Sequence, residues 1–321
     1  MQILTKPINV YIIWYGAWAA AEKSVIRTAL SSLTPAVPIT DFPNLSNLWT
    51  VMTKYYQNVS GQATFATNSV TVAQEIDDGS VYTMINSIRD PLAIVTHNIA
   101  AGFLPADYEQ GVYFVLTASD ITYSDFPENY CGYHYSVCPG QNSGVDCNSA
   151  LNNLVYAFVP MPTAFNMFIG CNLFPNLIPG TPPNFGVSPT GELDSMVSVI
   201  MHELLELTVD PYPGNMPAWI YNRSENSETA DLCSYNFVAG EWYYCGLPSV
   251  YPDFNTSDKA ICDAFGSRPA NGDPPRSLID PATNVAFNQY GVGGSQYLVQ
   301  KIWSLDNKGC VVQQEGTNKA N

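Results

Sequence analysis

Two runs in the chain, Val10-Tyr-Ile-Ile-Trp14 and Val112-Tyr-Phe-Val-Leu116, are apolar at every position and dense in β-branched and aromatic residues. Runs of this length and composition predict buried strands. Residues 69–73, 133–137 and 154–159 read as further strands. Residues 17–31 have helical composition and spacing, and helices are also expected over 45–56 and 81–88. A Pro- and Asn-rich stretch, 160–189, leads into a long apolar helical run at 196–210. Beyond Pro211 the chain is rich in Pro, Gly, Asn and aromatics, with a turn at Gly291-Val-Gly-Gly-Ser295 and a closing helix or strand at 297–303. The pattern predicts a mixed α/β fold. With no internal repeat, low-complexity tract or linker in view, it predicts one domain over 1–321. Residues 1–210 would hold the sheet and the long helix, and 211–321 a disulfide-stapled portion.

Three polar residues interrupt the helical run: His202, Glu203 and Glu206. His202 and Glu206 lie four apart and would project from one helix face with their tips close together. Glu203, about 100° round, could reach a water held between them. The arrangement is that of a zincin helix, His-Glu-x-x-His, with a carboxylate in place of the second histidine, a change zinc accepts. A sheet followed by such a helix is also the layout of a zincin-like domain, a likeness by analogy. The same positions, with Ser195 and Ser198, would equally form the polar stripe of a half-exposed helix. From Pro91 through Asn222 there is no Lys or Arg, while acids accumulate, and buried carboxylates without cations must be protonated, paired or metal-bound. Further on, Glu228-Thr-Ala-Asp231-Leu-Cys233 offers a third oxygen ligand from Glu228 or Asp231. The alternative for that segment is an acidic loop fixed by a disulfide at Cys233.

Composition narrows the class. Charged residues make up 12% against 46% hydrophobic, with 20 Tyr, which excludes disorder and coiled coil. A formal charge of −16 disfavours nucleic acid and anionic membrane surfaces as partners and suits cation binding. No run reaches the length of a membrane span. The eight cysteines, Cys131, Cys138, Cys147, Cys171, Cys233, Cys245, Cys262 and Cys310, predict an oxidising compartment and up to four disulfides of open connectivity. A zinc knot from Cys131, His134 and Cys138 is the rival reading of one subset. Sequons at Asn44, Asn58, Asn222 and Asn255 predict N-glycans. The first residues lack a leader-type apolar segment, so the expectation is a secreted protein numbered from near its processed start.

Several segments in order resemble the EXORDIUM-like, phosphate-induced-protein family of plant extracellular proteins. They are Asn9-Val-Tyr-Ile-Ile-Trp-Tyr-Gly16, Val112-Tyr-Phe-Val-Leu-Thr-Ala-Ser-Asp120, Cys131-Gly-Tyr-His-Tyr-Ser136, Thr181-Pro-Pro183 and Tyr290-Gly-Val-Gly-Gly294 before Trp303. The resemblance spans nearly the whole chain. It implies the cell wall or apoplast and growth responses, without a settled enzymatic activity. The His202-Glu203 pair with Glu206, Asp210 and Pro211, and the acidic segment from Trp219 to Cys233, are instead similar to secreted bacterial relatives.

Two functions follow as expectations. In the first, a metallopeptidase-like hydrolase, His202 and Glu206 ligate zinc, Glu228 or Asp231 completes the site, and Glu203 is the general base. His134 is an auxiliary ligand or donor in this scheme. Anionic ligands lower the electrophilicity of zinc and let calcium or manganese compete. The partner would be a peptide or a cell-wall component. In the second, the protein is a glycosylated structural protein, open to self-assembly. A carbohydrate-active pair such as Asp120 and Asp125 would need a defined separation that sequence does not supply. Neither a Gly-x-Ser-x-Gly elbow nor a phosphate-binding loop is present.

Overall fold

The computed structural model describes residues 2–33, 48–78, 84–85, 90–123, 131–138, 153–162, 171, 191–213, 217–219 and 228–233, and after these 278–279, 286–287, 289–290, 295–297, 299–300, 302–305 and 309–311. The elements of the first half are β1 (Ile8–Tyr15), α1 (Ala20–Ser31), α2 (Trp49–Met52), β2 (Tyr56–Val59), β3 (Gln62–Phe65), β4 (Val70–Asp78), β5 (Met84–Ile85), α3 (Asp90–Ala100), β6 (Gly111–Thr117) and β7 (Thr122–Tyr123). They are followed by β8 (Tyr133–Val137), β9 (Leu154–Pro160) and α4 (Glu192–Val209). A 3-10 turn at Asp231–Cys233 precedes six short strands: β10 (Leu278–Ile279), β11 (Ala286–Phe287), β12 (Gln289–Tyr290), β13 (Gln296–Tyr297), β14 (Ile302–Ser304) and β15 (Gly309–Val311).

The principal sheet has the order β4-β1-β6-β9-β8. β4, β1, β6 and β9 are parallel, and β8 closes that side antiparallel to β9. Every residue of β6 and β9 is buried, as parallel strands covered on both faces require. Alternation along the strands sends Val10, Ile12 and Trp14 of β1 and Val112, Phe114 and Leu116 of β6 to one face, where α1, α2 and α4 pack. Tyr11, Ile13, Tyr113 and Val115 face the other way, onto α3. The protein is therefore a three-layer, mixed α/β structure.

At the start of the sheet Asp107 ties three segments together. Its Oδ2 accepts from Asn9 Nδ2 at 2.9 Å and Tyr11 OH at 3.1 Å, and its Oδ1 accepts the peptide N–H of Gln110 at 3.0 Å. The Tyr113 hydroxyl in turn accepts from Asp107 N at 2.8 Å and donates to Pro105 O at 2.6 Å. Burial works against ionisation of Asp107, but donation from Asn9, Gln110 and Tyr11 outweighs it and holds the carboxyl below its usual range. A carboxyl depressed on folding stabilises above its unfolded value, and the gain is lost as pH falls through the folded one. Asp107→Ala should therefore cost about 1–2 kcal/mol at pH 7. In urea unfolding, the gap to the unsubstituted protein should narrow below about pH 4.

Three segments depart from the sequence reading. The helix expected over 45–56 is, among the described residues, the single turn Trp49–Met52. β-Branched Thr50, Val51 and Thr53 propagate a helix poorly, and Tyr55 is fully buried with its hydroxyl donating to Trp303 O at 2.5 Å, which commits the chain to leave it. Within 81–88, expected helical, Met84–Ile85 instead pair in parallel with Thr122–Tyr123, and the remainder lies outside the described residues. The strand expected at 69–73 runs on to Asp78, because its outer half is an edge held by side chains: Glu75 accepts from Trp14 Nε1 at 2.7 Å and Arg27 Nε at 2.8 Å. The segment at 297–303 enters two short strands, at Gln296–Tyr297 and Ile302–Ser304.

Cysteine oxidation matches the expectation where it is described. Cys131 bonds Cys171, Cys233 bonds Cys310, and Cys138 is disulfide-bonded as well. A zinc knot built on the Cys131 and Cys138 thiolates is thereby excluded. Cys147, Cys245 and Cys262 lie outside the described residues, as do the sequon residues Asn44, Asn222 and Asn255. Asn58 is exposed on β2, in a hairpin whose turn, Ser60-Gly61, takes positive φ values of 52° and 85°. Among the described residues no helix is long and apolar enough to cross a membrane.

Candidate metal centre

Helix α4 opens after Gly191, whose φ of 78° is one that glycine adopts without strain. Its apolar positions, among them Leu193, Met196, Ile200, Leu204 and Leu207, seal onto the sheet. Its polar positions are buried too: Ser195, Ser198, Glu203 and Glu206 are each under 5% exposed. The stripe is therefore not a solvated helix face; other segments cover it, and they bring matching chemistry.

The first cover is β8. Gly132 precedes it, and a Cβ there would fall 2.7 Å from Val199 Cγ1 and 2.9 Å from Glu203 Oε1. Glycine in the Cys-Gly-x-His segment lets the strand approach the helix this closely. His134, two residues on, then stands among carboxylates. Its Nδ1 lies 3.3 Å from Glu203 Oε2 and 3.8 Å from Glu206 Oε2, and its Nε2 lies 3.3 Å from Glu228 Oε2 and 3.1 Å from Asp210 O.

The second cover is residues 228–233. The peptide N–H groups of Ala230 and Asp231 both donate to Glu206 Oε1 at 3.0 Å. That leaves Glu206 Oε2 facing His202 Nε2 at 3.2 Å, while Asp231 Oδ1 lies 3.6 Å from the same ring nitrogen. The third cover is the strand region near the C-terminus. Gln300 N donates to Ser198 Oγ at 3.0 Å, and Gln300 Nε2 donates to Ala230 O at 2.8 Å while lying 3.0 Å from His202 Nδ1. A side-chain amide offers that ring either a donor or an acceptor according to its orientation.

The residues predicted from sequence thus converge, but as two triads sharing Glu206. His202, Glu206 and Asp231 have donor atoms all within 4.8 Å of one another, and so do His134, Glu206 and Glu228. The first triad is the more open, with the His202 and Asp231 side chains 16% and 45% exposed. The second is closed, with His134 and Glu228 at 3% and 7%. Glu228 therefore stands with His134 rather than with His202, and Asp231 alone of the two joins the His-Glu pair. Asp210 and Gln300, which the sequence pattern does not assign to the site, also belong here. Asp210 sits one residue past α4, its Oδ1 accepting Ala218 N at 2.7 Å. A neutral glutamine 98 residues from His202 carries no periodic or motif signal.

Electrostatics show how strongly the groups are coupled. Burial works to lower the His134 basicity, but Glu228, Glu203 and Glu206 reverse it and raise the ring to about 10. His202 is likewise raised to about 10 against its burial, chiefly by Glu206. Burial would push Glu206 up, yet His202 and His134 outweigh it and hold that carboxyl low. Burial pushes Glu228 up to about 9, with His134 opposing and Glu206, Asp210 and Glu203 assisting. Asp231 is raised to about 6 by burial and by Glu206. One imidazole and two carboxylates per triad form a donor set that suits zinc or manganese.

Among known proteins, the pattern described as the phosphate-induced protein 1 conserved region matches residues 1–256. Protein EXORDIUM-like 5 of Arabidopsis thaliana is 28% identical over 319 residues, covering 95% of this chain and 74% of that protein. Protein EXORDIUM-like 3 of the same plant is 28% identical over 94% of this chain and 78% of its own length. Protein PHOSPHATE-INDUCED 1 of Nicotiana tabacum is 20% identical over 96% of this chain and 85% of its own. No solved structure matches the chain.

Proposed function

The chain belongs to the phosphate-induced protein 1 family, and from that premise we propose that it is a secreted, single-domain, zincin-like metalloprotein acting as a peptide hydrolase. One observation carries the proposal: His202, Glu206 and Asp231 converge on a partly open flank of α4, with Glu203 next to His202 in the same helix. Its support in the fold is the order of elements, a sheet completed before the long helix that bears the His-Glu pair. The observed disulfides and the plant relatives support an extracellular setting.

In this reading His202, Glu206 and Asp231 would hold zinc. When bound, the ion supplies Lewis-acid chemistry, polarising a peptide carbonyl and acidifying water. Glu203 takes the proton of the attacking water on a carboxylate oxygen and passes it to the leaving amine. Glu203 Oε2 lies 3.3 Å from His134 Nδ1. Gln300 Nε2, which donates to Ala230 O, lies 3.0 Å from His202 Nδ1 and fixes the ring's outer side. Because the neighbouring carboxylates raise His202, its ring would lose a proton on ligating the ion, and affinity would rise with pH.

Elemental mass spectrometry of the purified protein tests the proposal. The expected result is zinc bound to the chain and lost from the open triad in His202→Ala. Glu203→Gln should keep the metal and lose about 100-fold or more in peptide cleavage, the range for removing a general base. Metal absent from the unsubstituted protein would overturn the reading. The second reading, a non-catalytic extracellular protein using the centre for stability, is favoured by the burial of Glu203 at 4% exposure. Metal present with no cleavage across a broad peptide library would decide for it.

A further inference from the structure

The closed triad has no role in the hydrolase scheme beyond the contact of His134 with Glu203. Its chemistry is nonetheless incomplete. His134 Nε2 can give its proton to one acceptor, and the Asp210 carbonyl at 3.1 Å meets hydrogen-bond geometry. Glu228 Oε2, 3.3 Å from the same nitrogen, makes no hydrogen bond among the described residues although Glu228 is only 5% exposed. Asp210 Oδ2 is buried and equally without a donor among them. Buried carboxylate oxygens without donors are costly, and native structures rarely leave them so. Among the described residues no lysine or arginine pairs with Glu228 or Asp210; the cation nearest Glu228 is His134.

A histidine that ligates a metal commonly donates its other ring N–H to a backbone carbonyl, as His134 does to Asp210 O. Glu206 belongs to both triads, and its Oε2 lies 3.8 Å from His134 Nδ1 and 3.2 Å from His202 Nε2. Its other oxygen is pinned by two peptide N–H groups, which fixes Oε2 between the histidines.

We infer that His134, Glu206 and Glu228 form a second divalent-cation site, of the zinc or manganese class, so that the centre is binuclear with Glu206 as the bridging carboxylate. The inference deepens the proposed metal centre and rests on it through Glu206. The closed site is shut off from solvent, and its cation serves structure and charge. The ion would give Glu228 Oε2 the partner it lacks and hold β8 and residues 228–233 against α4.

The test is stoichiometry. Chelator-stripped full-length protein is reconstituted with zinc or manganese, freed of excess metal and counted by elemental mass spectrometry. Two ions per chain are expected in the unsubstituted protein. One should remain in Glu228→Gln and one in Asp231→Asn, and none or nearly none in Glu206→Gln. The manganese form should show exchange-coupled paramagnetic resonance at two equivalents, a readout that needs no variant to fold. A single ion lost in Asp231→Asn and kept in Glu228→Gln would overturn the second site and leave the hydrolase centre intact. A single ion with the opposite dependence would keep the closed site and overturn the hydrolase centre. Two ions without exchange coupling would overturn the bridge.

Discussion

Glu206→Ala should lower unfolding free energy by about 3–5 kcal/mol in the metal-free protein and abolish cation binding at the centre, as loss of one partner from a buried charge cluster does. The side chain has three jobs: it accepts the peptide N–H groups of Ala230 and Asp231, faces His202 and faces His134. Truncation orphans two peptide donors, that of Ala230 buried, and removes the anion that most raises His202 and also supports His134. Its removal also relieves repulsion on Glu228 and Asp231, but Glu206 is itself held low by the histidines, so attraction outweighs repulsion at this position. Urea unfolding in excess chelator isolates the stability effect from metal linkage. Glu206→Gln, which keeps an acceptor for the two peptide groups, should recover part of the stability and none of the metal. A loss below about 1 kcal/mol in the alanine variant would mean that the cluster does not clamp these segments together.

Replacing Cys233 and Cys310 together by serine should cost about 2–4 kcal/mol, the usual range for a disulfide. The cross-link spans 77 residues, so it constrains a large part of the unfolded chain. It also has a local consequence. Cys233 ends the turn that carries Asp231, Cys310 lies in β15, and Trp303 of the partner strand β14 donates its peptide N–H to Thr229 O at 3.2 Å. Without the bond, Asp231 and Gln300 are held to α4 by hydrogen bonds and by the packing of Ala230, Val299 and Ile302. Metal affinity should then fall by about tenfold, corresponding to about 1.4 kcal/mol of lost preorganisation. Parallel urea curves and zinc titrations of the double-serine protein measure both effects. Stability falling with affinity unchanged would show that the bond does not organise the centre.

The parts of this structure that reveal themselves in sequence are those with strong periodicity. β1, β6, β9 and α4 follow from apolar runs, and the pairing of His202 with Glu206 follows from helical spacing alone. Helix α3 is harder to see: Asp90-Pro91 is an adequate start signal, yet the helix is short and apolar on much of its surface, so no polar face marks it. The β2–β3 hairpin is harder still, because its strands are largely exposed and do not alternate; its legible signal is the Ser60-Gly61 turn. In the centre, the acidic surplus points to residues 228–231 as a source of ligands but not to the division of labour between Glu228 and Asp231. That division depends on which side of Glu206 each side chain lands, a matter of tertiary docking. His134 illustrates the same limit. Its neighbour Gly132 hints at a close approach, but nothing in the sequence says that the approached element is α4.

The reach from His202 to Gln300 has a kinetic consequence. A contact spanning 98 residues is closed at a cost in chain entropy that must be met before it returns any stability. The sheet and α4 are complete in the chain by residue 209, so during synthesis the acidic helix face emerges well before the segment that covers it. Until residue 300 arrives, Ser198 lacks the peptide N–H it accepts and His202 lacks its side-chain amide neighbour. The helix bearing His202 and Glu206 is thus in place before the C-terminal strands that dock against it.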